Sequence, residues 1–283
     1  MTQISIIGAG TMGRGIAYSA ASNGFTVLLY DIEASSLSKA KSSIQLELEK
    51  SAERNFIKTK DIHPTLQRIS YSDSLEESVR SADLVIEAVV ENMAVKLDVF
   101  KELDQLTKPE TILATNTSTM SPTEIGAITS RPEKVVAMHF FNPVHKMKLV
   151  EIIRGLDTSD ETVNFVKEVT TQLKKEYVEV NEFPGFVTSR MNCLIGNEAM
   201  NMLMEDVASA EDIDKACKLG LNHPMGPLAL ADLVGLDSRL RNMEYLYQTL
   251  GEKYRPSPLL TKYVKAGKLG VKSGEGFFHY QQK

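Results

Sequence analysis

Residues 3–7 form a short run rich in isoleucine that ends at Gly8-Ala9-Gly10-Thr11-Met12-Gly13, and a helical pattern from Met12 to Asn23 begins inside that glycine turn. Few folds accept a strand that breaks at G-x-G-x-x-G and opens straight into a helix. Gly8 permits a tight turn, Gly10 lets phosphates approach the backbone, and Gly13 lets the helix lie close on the sheet. The free N–H groups of the helix start then face an anion. Thr26-Val27-Leu28-Leu29-Tyr30 reads as the next buried strand, closed by Asp31. An acid in that place suits the diol of an adenosine ribose and repels a 2′-phosphate. The expected ligand is therefore NAD rather than NADP, with Gly8, Gly10, Thr11, Met12, Gly13 and Asp31 as contacts. The alternative is a glycine turn in a sheet that binds something else.

The rest of the first half repeats the alternation. A long helical pattern runs from about 36 to 54, with Leu37, Ala40, Ile44 and Leu48 on one face. Strands are expected at 68–71, 84–89, 111–115, 135–139 and 148–153, and helices at 75–81, 93–106, 121–128 and 159–174. Such alternation predicts an α/β fold, a Rossmann-like, mainly parallel sheet with helices on both faces. The pattern changes after Tyr177-Val178-Glu179-Val180, and Asn181 to Gly185, containing Pro184-Gly185, is the best linker. Helices follow at 186–206, from a cap at Ser209 to Leu219, at about 226–250 and at 257–267. The expected organisation is an NAD-binding domain over 1–183 and an all-α C-terminal domain over 184–283.

Composition narrows the function classes. The 283 residues suit two domains. A net charge of −5 argues against nucleic acid as a partner, because neutralising phosphates needs clustered Lys and Arg. No run approaches the ~20 apolar residues of a membrane span. Residues 4–7 already read as a strand, which leaves no room for a leader, so a cytoplasmic location is expected. Cys193 and Cys217 make no metal spacing and are expected as buried free thiols in a reducing compartment. The twelve methionines read as core filler.

Several residues fall where strands end, which is where ligands bind in open α/β sheets. His139 closes the run 135–139, ahead of Phe140-Phe141-Asn142-Pro143. Imidazole titrates near neutrality, so it can take a hydroxyl proton as hydride leaves the same carbon; a structural histidine is the alternative. Glu151 stands among apolar neighbours, where an unpaired carboxylate is costly to bury. A histidine would satisfy it, and so would Lys146 or Lys148. Asn116-Thr117-Ser118-Thr119 follow the strand ending at Thr115; they suit a substrate oxygen or the nicotinamide, or simply cap the next helix. Glu91-Asn92 and Lys96 fall at the same rim, Lys96 either serving the cofactor or lying on a solvated helix face. Lys50 and the other basic residues of the second helix either meet an anionic ligand or are solvated.

Together these segments resemble the short-chain L-3-hydroxyacyl-CoA dehydrogenases, in particular their bacterial 3-hydroxybutyryl-CoA members, and the likeness runs essentially end to end. It is carried by the glycine turn, Glu87-Ala88-Val89-Val90-Glu91-Asn92, Asn116-Thr117-Ser118, His139-Phe140-Phe141-Asn142-Pro143, Pro184-Gly185-Phe186-Val187 and Met225-Gly226-Pro227. The resemblance implies that His139 is the general base, that Glu151 orients it, and that Ser118 contacts the substrate's 3-oxygen. It makes Glu91, Lys96 and Asn116 cofactor contacts, and implies an acyl-CoA substrate and a homodimer formed through the helical domain. Asn142 and Lys50 are further substrate candidates. In one place the chain departs from the family: the asparagine usual after the Pro-Gly-Phe hinge, which helps hold the substrate near the histidine, is Ser189 here. Serine still donates and accepts but is shorter, and losing such a contact costs about 1–3 kcal/mol if nothing replaces it.

The expected activity is reversible, NAD-dependent oxidation of (S)-3-hydroxyacyl-CoA, short-chain substrates foremost, to 3-oxoacyl-CoA, in fatty acid metabolism. Two rivals stand beside it: an NAD-dependent dehydrogenase of a free 3-hydroxy acid, and an NAD-binding protein without turnover.

Overall fold

The structure is a computed structural model and describes residues 2–281. The backbone falls into two compact units, the first ending at Glu182 and the second beginning at Phe183.

The first unit runs β1 (Gln3–Ile7), α1 (Thr11–Ser22), β2 (Thr26–Tyr30), α2 (Ala34–Glu53), α3 (Ile62–Gln67), β3 (Ile69–Ser72), α4 (Leu75–Val79), β4 (Leu84–Glu87), α5 (Met93–Leu106), β5 (Ile112–Thr115), α6 (Pro122–Ala127), β6 (Val135–Phe140), β7 (Leu149–Arg154), α7 (Asp160–Gln172) and β8 (Glu176–Asn181). The strands form one sheet in the order β3-β2-β1-β4-β5-β6-β7-β8. β1 to β6 are parallel, as expected from the βα alternation. β7 departs from that pattern, running antiparallel to β6, and β8 runs parallel to β7. The segment 141–148 between β6 and β7 holds no helix, so the chain turns back on itself instead of crossing over.

Side chains alternate across the sheet, and the two faces carry separate cores. Leu84 and Ile86 of β4, Val136 and Met138 of β6, and Val150 and Ile152 of β7 pack with α1, α2 and α7. Val85, Leu113 and Val135 pack on the opposite face with Val79, Phe100, Leu103 and Ile125 of α4, α5 and α6. By the same alternation Glu87, Thr115, His139 and Glu151 belong to this second face, at or near its carboxyl edge. The short α3 is absent from the sequence expectation because six residues containing Pro64 carry too little periodicity.

The second unit contains α8 (Thr188–Met204), α9 (Ala210–Gly220), α10 (Pro227–Val234), α11 (Leu236–Leu250) and α12 (Pro258–Lys265). The single helix expected over 226–250 is two helices, since Gly235 takes φ 98°, a backbone that breaks a right-handed helix. α8 starts two residues later than expected because Gly185 and Phe186 both have positive φ. Cys193 is buried, but Cys217 is only half-buried, a turn beyond the buried Ile213 and Asp214 of α9. No helix among the described residues is long and apolar enough to cross a membrane.

Two buried aspartates hold this unit together. Asp214 caps α10, accepting from Leu228 N at 2.8 Å and Ala229 N at 2.9 Å. Asp232, fully buried in α10, draws in the C-terminal segment: it accepts from Phe277 N, Phe278 N and the Tyr280 hydroxyl, each at 3.0 Å. A Cβ at Gly276 would fall 2.0 Å from Asp232 Oδ1, so only glycine admits the approach. Asp232→Ala strands those donors and should lower unfolding stability by about 2–4 kcal/mol, read from urea denaturation; an unchanged midpoint would show that the segment is held otherwise.

Candidate active site

The site begins at the glycine turn. Gly8 has φ +104° and a Cβ there would lie 2.8 Å from Ala88 O, while a Cβ on Gly13 would lie 1.7 Å from Gly8 O. Gly10 differs: its φ is an ordinary −65°, and a Cβ would meet nothing of the protein within 4 Å. What glycine preserves there is open space before the first turn of α1, where Thr11 and Met12 lie and no side chain caps the helix. That cradle fits a pyrophosphate bound to free N–H groups. Asp31, just past β2, accepts from Ala9 N at 2.8 Å and from Glu33 N at 3.0 Å, so its carboxylate is fixed beside the turn. The residues thus fit a dinucleotide. The strand order reverses between β1 and β4, the place where a dinucleotide would be held in a sheet of this kind, with Asp31 on the β2 side and the ends of β4 and β5 on the other.

Buried charge gathers at the end of β4. Glu87, the last residue of β4, and Lys96, on α5, have no exposed side-chain surface and pair at 2.8 and 3.0 Å. Thr115 Oγ1 donates to Glu87 at 2.7 Å, and so does Val89 N at 2.8 Å. Lys96 also reaches Glu91 Oε2 at 3.3 Å. Burial pushes the Lys96 ammonium down, but the two carboxylates outweigh it and hold its pKa above the ordinary lysine value. Lys96 is therefore not a solvated helix charge. Glu91 Oε1 accepts from Thr117 Oγ1 at 2.6 Å and Ser118 N at 2.8 Å. Asn116 uses its side-chain oxygen on Phe140 N at 2.8 Å, tying the end of β5 to β6. Asn92 caps α5, accepting from Val95 N.

His139 and Glu151 are directly opposed in the β6–β7 ladder, and His139 Nδ1 lies 2.7 Å from Glu151 Oε2. Both are buried, Glu151 completely, so the partner of Glu151 is the histidine; Lys146 and Lys148 are exposed. A carboxylate can only accept, so Nδ1 carries the proton and Nε2 is the basic nitrogen. The Phe141 ring packs 4.5 Å from the imidazole, between centroids.

A cavity of 330 Å³ opens beside the turn, lined among others by Thr11, Arg14, Ser43, Glu47, Asn142 and His145. His145 Nε2 sits 3.0 Å from Glu47 Oε1, and burial, against the pull of Glu47, holds its pKa below the ordinary histidine value. Asn142 is thus at a cavity, whereas Lys50, exposed near the end of α2, is outside its lining. Ser189 lies in the second unit, half-exposed in the first turn of α8. Sequence reasoning passed over Glu87 and His145. The signal for Glu87 was a charge closing an apolar strand.

Comparison with known proteins shows the family. Residues 3–183 match the model of the 3-hydroxyacyl-CoA dehydrogenase NAD binding domain, and residues 185–280 match that of the 3-hydroxyacyl-CoA dehydrogenase C-terminal domain. The chain is 51% identical to a probable 3-hydroxybutyryl-CoA dehydrogenase of Bacillus subtilis, over 99% of this chain and 98% of the relative. It is 45% identical to the 3-hydroxybutyryl-CoA dehydrogenase of Clostridioides difficile, over 99% and 100%. Among solved structures, (S)-3-hydroxybutyryl-CoA dehydrogenase from Ralstonia eutropha superposes with a TM-score of 0.93 at 42% identity, covering both chains fully. With one family model matched over each unit and full-length relatives at 45–51% identity, the chain is a member of the 3-hydroxyacyl-CoA dehydrogenase family.

Proposed function

We propose that this protein interconverts (S)-3-hydroxybutyryl-CoA and acetoacetyl-CoA, with residues 1–183 binding NAD and residues 184–283 serving substrate binding and dimerisation. The observation that carries the reading is the His139–Glu151 pair, at 2.7 Å, near the carboxyl edge where the nicotinamide half belongs. NAD, when bound, supplies the acceptor for the hydride that leaves C3. His139 Nε2 takes the hydroxyl proton, and Glu151, bonded to Nδ1, orients the ring and stabilises the imidazolium. In the reverse direction the same nitrogen returns the proton. Ser118 hydrogen-bonds the 3-oxygen and so stabilises charge developing there. Gly8, Gly10, Thr11, Met12, Gly13, Asp31, Glu91, Lys96 and Asn116 form the NAD site, the last three by supporting the nicotinamide half. Asn142 is proposed as a substrate contact, Ser189 as a weaker one than the family's asparagine, and Lys50 as a distant CoA contact.

A homodimer built through the helical unit is part of the proposal, as is a cytoplasmic location. Exposed Leu219, Leu221, Leu233 and Val234 in that unit support association through it. Light scattering should give twice the chain mass, and Leu221→Asp with Leu233→Asp should return it to that of one chain; an unchanged wild-type mass of one chain would contradict the dimer.

Purified protein mixed with NADH and acetoacetyl-CoA should consume NADH, while free acetoacetate or NADPH should support far slower turnover. His139→Ala should lower kcat by roughly a hundred- to ten-thousand-fold. Glu151→Gln should cost about tenfold or more, since the ring loses its fixed acceptor. Absence of NADH consumption with acetoacetyl-CoA would overturn the substrate, and a His139→Ala protein at near-normal rate would overturn the mechanism.

A further inference from the structure

Glu87 takes no part in the chemistry above, yet the reactive rim is bonded to it from several directions. It lies on the same face of the sheet as His139, at the end of the neighbouring strand but one, with no exposed surface. Taking a carboxylate and an ammonium wholly out of water costs several kcal/mol for each, and apolar residues of similar size often stabilise a fold as well or better. The Glu87–Lys96 pair is therefore poorly explained as a source of stability. Its geometry suggests something else. Both Glu87 oxygens hold the Lys96 ammonium, at 2.8 and 3.0 Å. The ammonium in turn holds Glu91 Oε2 at 3.3 Å, and Glu91 Oε1 takes the Ser118 amide at 2.8 Å and the Thr117 hydroxyl at 2.6 Å. Thr115, two residues before Thr117, donates to Glu87 as well. The segment from Thr115 to Ser118 is thus tied twice to one buried anion, directly at Thr115 and through Lys96 and Glu91 at Thr117 and Ser118.

We propose that Glu87 is a positioning residue for Ser118, acting through Lys96 and Glu91 to fix the turn that presents the serine to the substrate oxygen. The proposal rests on the reading of Ser118 as a substrate contact. Neutralising Glu87 leaves Lys96 to pair with Glu91 alone, drawing Glu91 off the Ser118 amide and loosening the turn. The fold would survive such a change; the aim of Ser118 would not.

The test is a double-mutant cycle. Glu87→Gln should lower kcat with acetoacetyl-CoA by about tenfold or more, a larger change than any in KM for NADH, because a transition-state contact is lost. In a Ser118→Ala background the same change should cost almost nothing further, since it acts through the serine. Glu87→Gln with Lys96→Met, which removes the stranded ammonium, should recover the melting temperature but not kcat. Full multiplicative losses in the cycle, or recovery of kcat with Lys96→Met, would overturn the proposal. If Glu87→Gln does not fold, Thr115→Val, which keeps both charges, enters the same cycle with a smaller expected loss. Hydrogen exchange at the Ser118 amide, followed by NMR, needs no turnover: Glu87→Gln, or Thr115→Val in its place, should speed it selectively, and an unchanged rate would overturn the positioning chain. An inactive wild-type protein would instead discredit the functional reading, and the amide measurement would still decide this one.

Discussion

The reactive centre depends on one change of direction. Had β7 continued the parallel pattern of β1 to β6, Glu151, near the start of β7, would lie at the edge of the sheet away from His139, near the end of β6. Because β7 runs back along β6, the pairs Ala137–Ile153, Met138–Ile152 and His139–Glu151 follow from a single register. A one-residue slip would send Glu151 to the other face of the sheet. The carboxylate is therefore placed by backbone ladder bonds rather than by a flexible loop, and its full burial leaves it dependent on its hydrogen-bond partners. A base whose ring must hold one orientation through a proton transfer gains from such rigid support.

The same face carries a second electrostatic device a short way along the rim. Glu87, Lys96 and Glu91 form a chain in which each buried charge is satisfied by the next, and its last link is the Ser118 backbone. The hydrogen bonds of His139 and of the Ser118 amide thus trace back to different strands, β7 for the histidine and β4 for the serine. The Asn116 bond to Phe140 N joins the two networks by way of the strand between them. The glycine turn on the opposite side of β4 completes the edge, with Asp31 clamping Ala9 so that the α1 N-terminus stays open.

What the sequence made legible follows from how local each constraint is. The glycine turn could be read because two of its positions forbid a Cβ through contacts of the turn itself and its neighbouring strand. His139 could be read because an apolar strand followed by Phe-Phe-Asn-Pro marks a carboxyl end. The partner of Glu151 was given by the family resemblance and left open by the residues alone, since strand direction is a property of the whole sheet and Lys146 and Lys148 are nearer in sequence. Glu87 stayed hidden inside an apolar strand, and its lysine, Lys96, could be read either as a cofactor residue or as a solvated charge of its helix. In the helical unit the break at Gly235 was missed because apolar periodicity runs through it, and only the backbone angle reveals the stop.

The account turns on where the hydrogen at C3 goes, and isotopic labelling follows that atom directly. Incubating the protein with NAD and (S)-3-hydroxybutyryl-CoA carrying deuterium at C3 should yield NADH with the deuterium at C4 of the nicotinamide, detected by mass spectrometry, with none of it lost to water. Deuterium found in solvent, or acetoacetyl-CoA formed without labelled NADH, would contradict the hydride transfer on which the whole assignment stands.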